Sequence, residues 1–287
     1  MNTVIFRKVT GLTEIGEDWE IRGISVGPRG EIIMQASKRG DQLSSSQLKL
    51  RYFLLRRNST DMQELSPPAP SYFRVQPFGV EEMLWVDVRC RRGELNASLR
   101  DQSGQEVRAF HLGDGIEDIQ VTQDGKIWVS YFDEGVYGGG VGQAGLARFS
   151  GTGDLEFEFN DSAMKNGIAH IDDCYAFNVG ANDEVYVYYY TDFPLVRICG
   201  MQITTVCRVP VRGSGAFAIH QDRALFRGAY NKPGSIFSVA LRDEKLTELQ
   251  PVNEEGQLIP IVGAAGRGSC LYLASPRALY LMDLARI

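Results

Sequence analysis

Between Gly115 and Tyr131 the chain reads GIEDIQVTQDGKIWVSY. Ile119 and Val121 alternate with polar residues, Asp124-Gly125 interrupts, and Ile127, Trp128 and Val129 follow as an unbroken apolar run. Alternation is the period of a strand with one buried face, and a short continuous run fits a strand buried on both. Glycine admits the positive φ of a tight turn, so the stretch predicts a hairpin turning at Asp124-Gly125.

The design recurs. RGISVGPRGEIIMQA (22–36) turns at Arg29-Gly30, FRVQPFGVEEMLWVDV (73–88) near Gly79–Glu82, and AFNVGANDEVYVYYY (176–190) at Asn182-Asp183. AFAIHQDRALFRG (216–228) turns at Gln221-Asp222, and IVGAAGRGSCLYLAS (261–275) near Arg267-Gly268. The copies lie about 40 to 60 residues apart, the spacing of four-stranded propeller blades. A second strand pair follows each of the first five copies: LKLRYFLLRRNSTDMQEL (48–65), LNASLRDQSGQEVRAF (95–110), GLARFSGTGDLEFEFN (145–160), PLVRICGMQITTVCRV (194–209) and SIFSVALRDEKLTEL (235–249). The last copy is followed by one strand only, in ALYLMDLARI (278–287), so TVIFRKV (3–9) is expected to supply its outer strand.

Helical periodicity is confined to a short stretch around Ser162–Asn166, which excludes an α/β enzyme with regularly alternating helices. The pattern predicts an all-β fold: a six-bladed β-propeller of four-stranded antiparallel blades, residues 1–287 forming a single domain. A large sandwich or a pair of smaller β domains is the alternative.

The stretches DIQVTQDGKIWVSY and ISVGPRGEIIMQA resemble the propeller repeats of bacterial sensor-regulator proteins and of NHL and regucalcin/gluconolactonase-like propellers. GIEDIQVTQDGKIWVSYFDEGVYG together with IDDCYAFNVGANDEVYVYYYTDFPLVRI resembles a family of uncharacterised bacterial propeller-like proteins. These resemblances imply an architecture and carry no activity with them.

Charge changes the picture more than composition does. The net charge of −6 is distributed unevenly. Residues 111–200 hold 4 Lys+Arg against 15 Asp+Glu, whereas the segments on either side are weakly basic. Such a middle third repels phosphate and argues against nucleic acid. It suits a basic protein or peptide segment, or a cation. No apolar run approaches the length of a membrane span, and the N-terminal residues lack a secretion signal's pattern, so a soluble, cytoplasmic protein is expected. Five widely spaced cysteines without a C-x-x-C fit reduced thiols.

Propellers commonly work through loops at the mouth of their central channel. Glu117 and Asp118 sit just before the third inner strand, and Asp172 and Asp173 just before the fourth, with His170 two residues upstream. The corresponding positions of the other blades carry Glu20, Ser71, Ser214 and Pro260. Resemblance to regucalcin-like propellers implies a divalent cation held by oxygen ligands, here Asp118, Asp172 and Asp173. That family's Glu and Asn ligand motifs find no match at their blade positions. No other cofactor is expected, and no nucleophile–base motif, P-loop or zinc spacing occurs.

The run Tyr186, Tyr188, Tyr189, Tyr190, then Asp192 and Phe193, reads either as packing between blades or as part of a recognition surface. In the second reading Tyr188, Tyr190 and Asp192 join Glu117, Phe132, Asp133, Glu134 and His170 against a basic partner. Two functions follow. One is a non-enzymatic binding propeller, of which an immunity or antagonist protein is one form. The other is a metal-dependent hydrolase or lactonase.

Gly140–Gly145 spells G-x-G-x-x-G. A dinucleotide site needs a helix opening inside that spelling, where its free amides meet the pyrophosphate. Here the residues ahead include Asp133 and Glu134, and those behind continue as a strand. The expectation is a flexible connection within blade three.

Overall fold

The computed structural model describes residues 2–12, 15–40, 50–59, 61–69, 72–181 and 184–286. The strands form six sheets with the order of propeller blades, each built from antiparallel neighbours in chain order except where two N-terminal strands join the outer edges of the last two. The fold is a six-bladed β-propeller. The turn expected at Asn182-Asp183 and the position Ser71 lie outside the described residues.

The chain divides into two compact units. One comprises residues 27–29 and 72–209 and holds blades 2, 3 and 4. Blade 2 runs through Phe73–Phe78, Glu82–Asp87, Ala97–Arg100 and Glu106–Phe110. Blade 3 uses Ile116–Val121, Ile127–Tyr131, Leu146–Phe149 and Leu155–Glu158. Blade 4 uses Asp173–Val179, Val185–Tyr190, Pro194–Cys199 and Gln202–Arg208.

The unbroken apolar run of blade 3 has a simple cause. Ile127, Val129 and Tyr131 pack with Leu84, Val86 and Leu99 of blade 2, while Trp128 packs with Phe177, Val187 and Val196 of blade 4. Successive side chains point to opposite faces, and both faces are covered. Each fully buried Val, Leu or Ile in these layers stabilises by about 2 kcal/mol relative to exposure. The hairpin turn forms at Asp124-Gly125 as its residues dictate, with Gly125 at φ 82° and the Thr122 amide donating to the Lys126 carbonyl at 2.9 Å.

The other unit comprises residues 1–26, 30–71 and 210–287 and holds blades 1, 5 and 6. Blade 1 uses Trp19–Val26, Ile32–Lys38, Arg51–Leu55 and Met62–Leu65. Blade 5 uses Ala216–His220, Arg223–Arg227, Ile236–Ala240 and Lys245–Val252. Blade 6 uses Gly263–Arg267, Cys270–Ser275 and Ala278–Asp283.

The N-terminal segment corrects the expectation of one strand over 3–9. Arg7–Gly11 pairs antiparallel with Ala278–Asp283 and completes blade 6. Thr3–Ile5 instead pairs in parallel with the outer strand of blade 5, in the register Thr3↔Gln250 to Ile5↔Val252. Phe6, at the break, is fully buried with Val4, Leu271 and Leu273. One apolar anchor thus divides the segment between two blades.

The helices are short. The first, α1, spans Asp133–Tyr137 and was not expected. The second, α2, spans Phe159–Asn166, so Phe159 opens a helix rather than continuing the alternating strand before it. Its left-handed cap at Gly167 ends it. Cys199 and Cys207 form no disulfide, because the hairpin pairs Cys199 with Gln202 and Cys207 with Leu195.

Candidate functional site

The site lies in the unit of blades 2 to 4 and starts from the glycine-rich connection. That connection is folded, not an open flexible loop: α1 is followed by a 3-10 turn over Gly140–Ala144. A Cβ on Gly135 would meet the carbonyl oxygens of Asp114 at 2.7 Å and Gly115 at 2.8 Å. One on Gly142 would lie 2.5 Å from the Gly135 carbonyl oxygen. Three backbone segments therefore touch where no side chain fits. The following residues, Leu146–Phe149, are a strand rather than the helix a pyrophosphate needs.

Packed in this way, α1 presents Tyr137, which is 69% exposed. Its hydroxyl donates to Asp172 Oδ1. Thr191 Oγ1 donates to Asp172 Oδ2 at 2.9 Å, and His170 Nε2 lies 2.9 Å from Asp172 Oδ1. Burial works against the Asp172 carboxylate, but the hydrogen bonds from Tyr137 and Thr191 and the neighbouring His170 hold its pKa below the ordinary range. Asp172 thereby ties α1 to both flanks of the fourth blade's hairpin.

Beside it the tyrosine run divides. Phe193 takes φ 54°, a left-handed conformation uncommon outside glycine, and is surrounded by rings. Tyr188 stacks on it at 5.3 Å, and Tyr175 and Tyr190 meet it edge-on at 5.5 and 5.9 Å. Tyr188 is fully buried, which corrects its expected place in a recognition surface. Tyr189 is buried against Phe159, its hydroxyl on the Ala169 carbonyl. Tyr190 is 43% exposed and remains available.

The acids separate as well. Glu134 and Asp114 are both bound by Arg89, at 2.5 and 3.0 Å, and the guanidinium lies 5.6 Å from the Phe132 ring centroid. Asp192 pairs with Arg208 at 2.9 Å, both side chains well exposed, so the pair adds little. Asp133 accepts its neighbour's amide, Glu134 N, at 2.7 Å. Among the described residues Asp133, Asp172 and Asp173 have no Lys or Arg partner. Arg89, Tyr137 and Thr191 were not legible as site residues, because each becomes relevant only through a partner distant in the chain.

Glu117 and Asp118 lie within the inner strand Ile116–Val121 rather than before it. The Asp118 amide donates to Ser130 Oγ at 3.1 Å. Burial pushes the Glu117 carboxyl up, Arg74 at 3.8 Å opposes this, and Asp118 and Asp173 add to it. Asp173 is pushed up by burial and by Asp133. Cys174, fully buried, has its thiol raised far above the ordinary value and is core rather than nucleophile. Among the described residues no three His, Cys, Asp or Glu side chains gather as a metal-holding group. Asp118, Asp172 and Asp173 are thus not brought together as a ligand set: Asp172 is committed to Tyr137, Thr191 and His170.

These shifts fix the sign of a pH effect. Glu117 and Asp173 hold protons to higher pH when folded than when unfolded, so their ionisation lowers stability as pH rises above about 4. Glu117→Gln with Asp173→Asn is expected to raise the melting temperature at pH 7, by a small margin because the Glu117 side chain is partly solvated, a gain that vanishes below about pH 4. Asp172 has the opposite sign, its contribution being lost as pH falls through its depressed pKa. Melting curves from pH 3 to 8 measure both; a double variant no more stable than the parent at pH 7 contradicts the assignment.

Comparison with known proteins bears on the fold. The model of the YxzG family matches residues 146–282. No curated protein matches the chain. Among solved structures, catalytically inactive virginiamycin B lyase from Staphylococcus aureus with quinupristin is similar at TM-score 0.55 and 13% identity, covering 95% of this chain and 98% of that one. The extracellular domain of the putative one component system BT4673 from B. thetaiotaomicron matches at TM-score 0.51 and 8% identity, over 99% of this chain and 42% of that one. YCF48 bound to D1 peptide matches at TM-score 0.50 and 7% identity, over 96% and 99%. At such identities the likeness is one of fold, a fold that carries a lyase in one protein and a peptide-bound state in another.

Proposed function

We propose that this chain is a non-enzymatic binding propeller whose acidic, tyrosine-bearing loops on blades 3 and 4 engage a basic protein or peptide segment. The observation that carries the reading is the rim around Asp172. Exposed Tyr137 and Tyr190 flank Asp133, Asp172 and Asp173, acids with no Lys or Arg partner among the described residues. Tyrosine supplies broad contact area at little conformational cost, and carboxylates held on a rigid scaffold favour cationic side chains. Arg89 and Arg208 neutralise Glu134 and Asp192, so the recognition falls to Asp133, Asp172, Tyr137 and Tyr190 rather than to every acid of the segment.

A lysine-rich synthetic peptide labelled for fluorescence anisotropy tests this. Binding is expected to weaken about tenfold between 50 and 300 mM salt, as screened charge pairs do. Asp133→Lys with Tyr137→Ala is expected to weaken it about 10- to 100-fold at low salt. Binding unaffected by the double variant, or no binding at low salt, refutes the reading.

A further inference from the structure

The unit of blades 1, 5 and 6 contains a cation with no counterpart among the described residues. Arg227 ends the second strand of blade 5. Its directly paired neighbours are Ala216 on one side and Ile236 on the other. Paired residues share a face of the sheet, and both belong to an apolar cluster with Leu225, Ile259 and Leu271. The guanidinium is thus placed at the border of a hydrophobic layer. Its Nε is buried without a hydrogen-bond partner. Among the described residues the side chain forms no ion pair and no hydrogen bond.

This is an expensive arrangement. Arginine carries five donors and stays charged, and holding it half-buried with its Nε unpartnered opposes folding. Its pKa is lowered by burial alone, with no neighbouring carboxylate opposing the shift. Glu248, two strands away in the same sheet, is occupied by Lys232 and by Ser235 Oγ at 2.9 Å.

The surroundings are built rather than open. Ser214, fully buried, donates to the Arg227 carbonyl at 2.8 Å. The Gly228 amide donates to the Ser235 carbonyl at 2.9 Å. The Tyr230 amide donates to the Arg212 carbonyl at 3.0 Å, which draws the turn after Arg227 against the segment leading into blade 5. Tyr230 lies over Gly213, where a Cβ would be 2.4 Å from its ring. The backbone around Arg227 is therefore held from two sides.

We infer that Arg227 is the anchor of an oxyanion site, taking a carboxylate or a phosphate group in the fork of its guanidinium. A planar fork of donors matches either group through two parallel hydrogen bonds. Such a ligand supplies the charge that the chain withholds. The site belongs to the other unit and calls for the opposite ligand charge, so it stands or falls independently of the peptide-binding reading.

Inorganic phosphate and acetate are the probes, each titrated into the protein at constant ionic strength with chloride as the balance. A saturable rise in melting temperature is expected with at least one of them, about 5 °C at a hundredfold excess over Kd. The probe that acts tells phosphate from carboxylate. Arg227→Met is expected to abolish the rise and to melt no lower than the parent in chloride, since it removes a half-buried charge that has no partner among the described residues. Calorimetric titration of the unaltered protein supplies a readout that needs no variant. An equal rise in Arg227→Met, or no saturable response to either probe in the unaltered protein, overturns the inference.

Discussion

Gly266→Ala is expected to destabilise the protein by about 3 kcal/mol or more. Gly266 lies on the inner strand of blade 6, and a Cβ there would be 1.8 Å from the Phe217 carbonyl oxygen and 2.7 Å from its carbon. Both obstructing atoms are backbone, so no rotamer change relieves the overlap. Phe217 itself is fixed by stacking on Phe226 at 5.1 Å, and Ile219 N donates to the Gly268 carbonyl at 3.0 Å. The two inner strands must separate to admit one methyl group, and the buried layer between blades 5 and 6 opens with them. The urea midpoint is expected to fall at unchanged m. Gly215→Ala is the control, since a Cβ there meets nothing within 4 Å. It should lie within about 0.5 kcal/mol of the parent. Equal effects at the two positions contradict the packing argument.

Gly135→Ala is expected to cost about 2–3 kcal/mol and to act on the rim around Asp172, the proposed binding surface, as well. The new methyl would press on the carbonyls of Asp114 and Gly115, the segment against which α1 is packed. Displacement of α1 withdraws Tyr137 from Asp172. Protection of the Val136 amide, which donates to the Phe132 carbonyl at 3.0 Å, is expected to fall in hydrogen exchange, and peptide binding with it. Gly140→Ala separates this from a general aversion to substituted glycine. Gly140 has φ 72° but open space around its Cβ, so its cost is the intrinsic left-handed one of about 1–2 kcal/mol, with Val136 protected as before. Loss of protection in both variants to the same degree refutes the distinction.

The glycine spelling that matched a dinucleotide turn shows where reading the chain stops. The absence of a following helix was legible from Leu146–Ser150, and it disposed of the nucleotide. That Gly135 and Gly142 allow backbone to touch backbone was not legible, because the partners, Asp114 and Gly115, stand in another loop. The tyrosine run gave the same lesson. Alternation placed Tyr188 and Tyr190 on one face, but the ring of Phe193, turned inward by a positive φ, buries the first and leaves the second at the surface. Counting acids over 111–200 likewise marked the sector without showing that Arg89 reaches both Asp114 and Glu134.

Taken alone, the sequence determined the blades. A hairpin is a local object: two-residue alternation, a turn residue that tolerates its φ, and a strand apolar on both faces lie within about 15 consecutive positions, and repetition makes each copy corroborate the others. Gln221, at φ 51° without being glycine, still turned where the pattern placed it. Only the tertiary structure decided the division of the N-terminal segment between two blades, the anchoring of Tyr137 to an aspartate 35 positions away, and the isolation of Arg227. These rest on which distant groups meet and which find nothing to meet. Periodicity encodes which face of a strand is buried, and it carries no information about the neighbour that buries it.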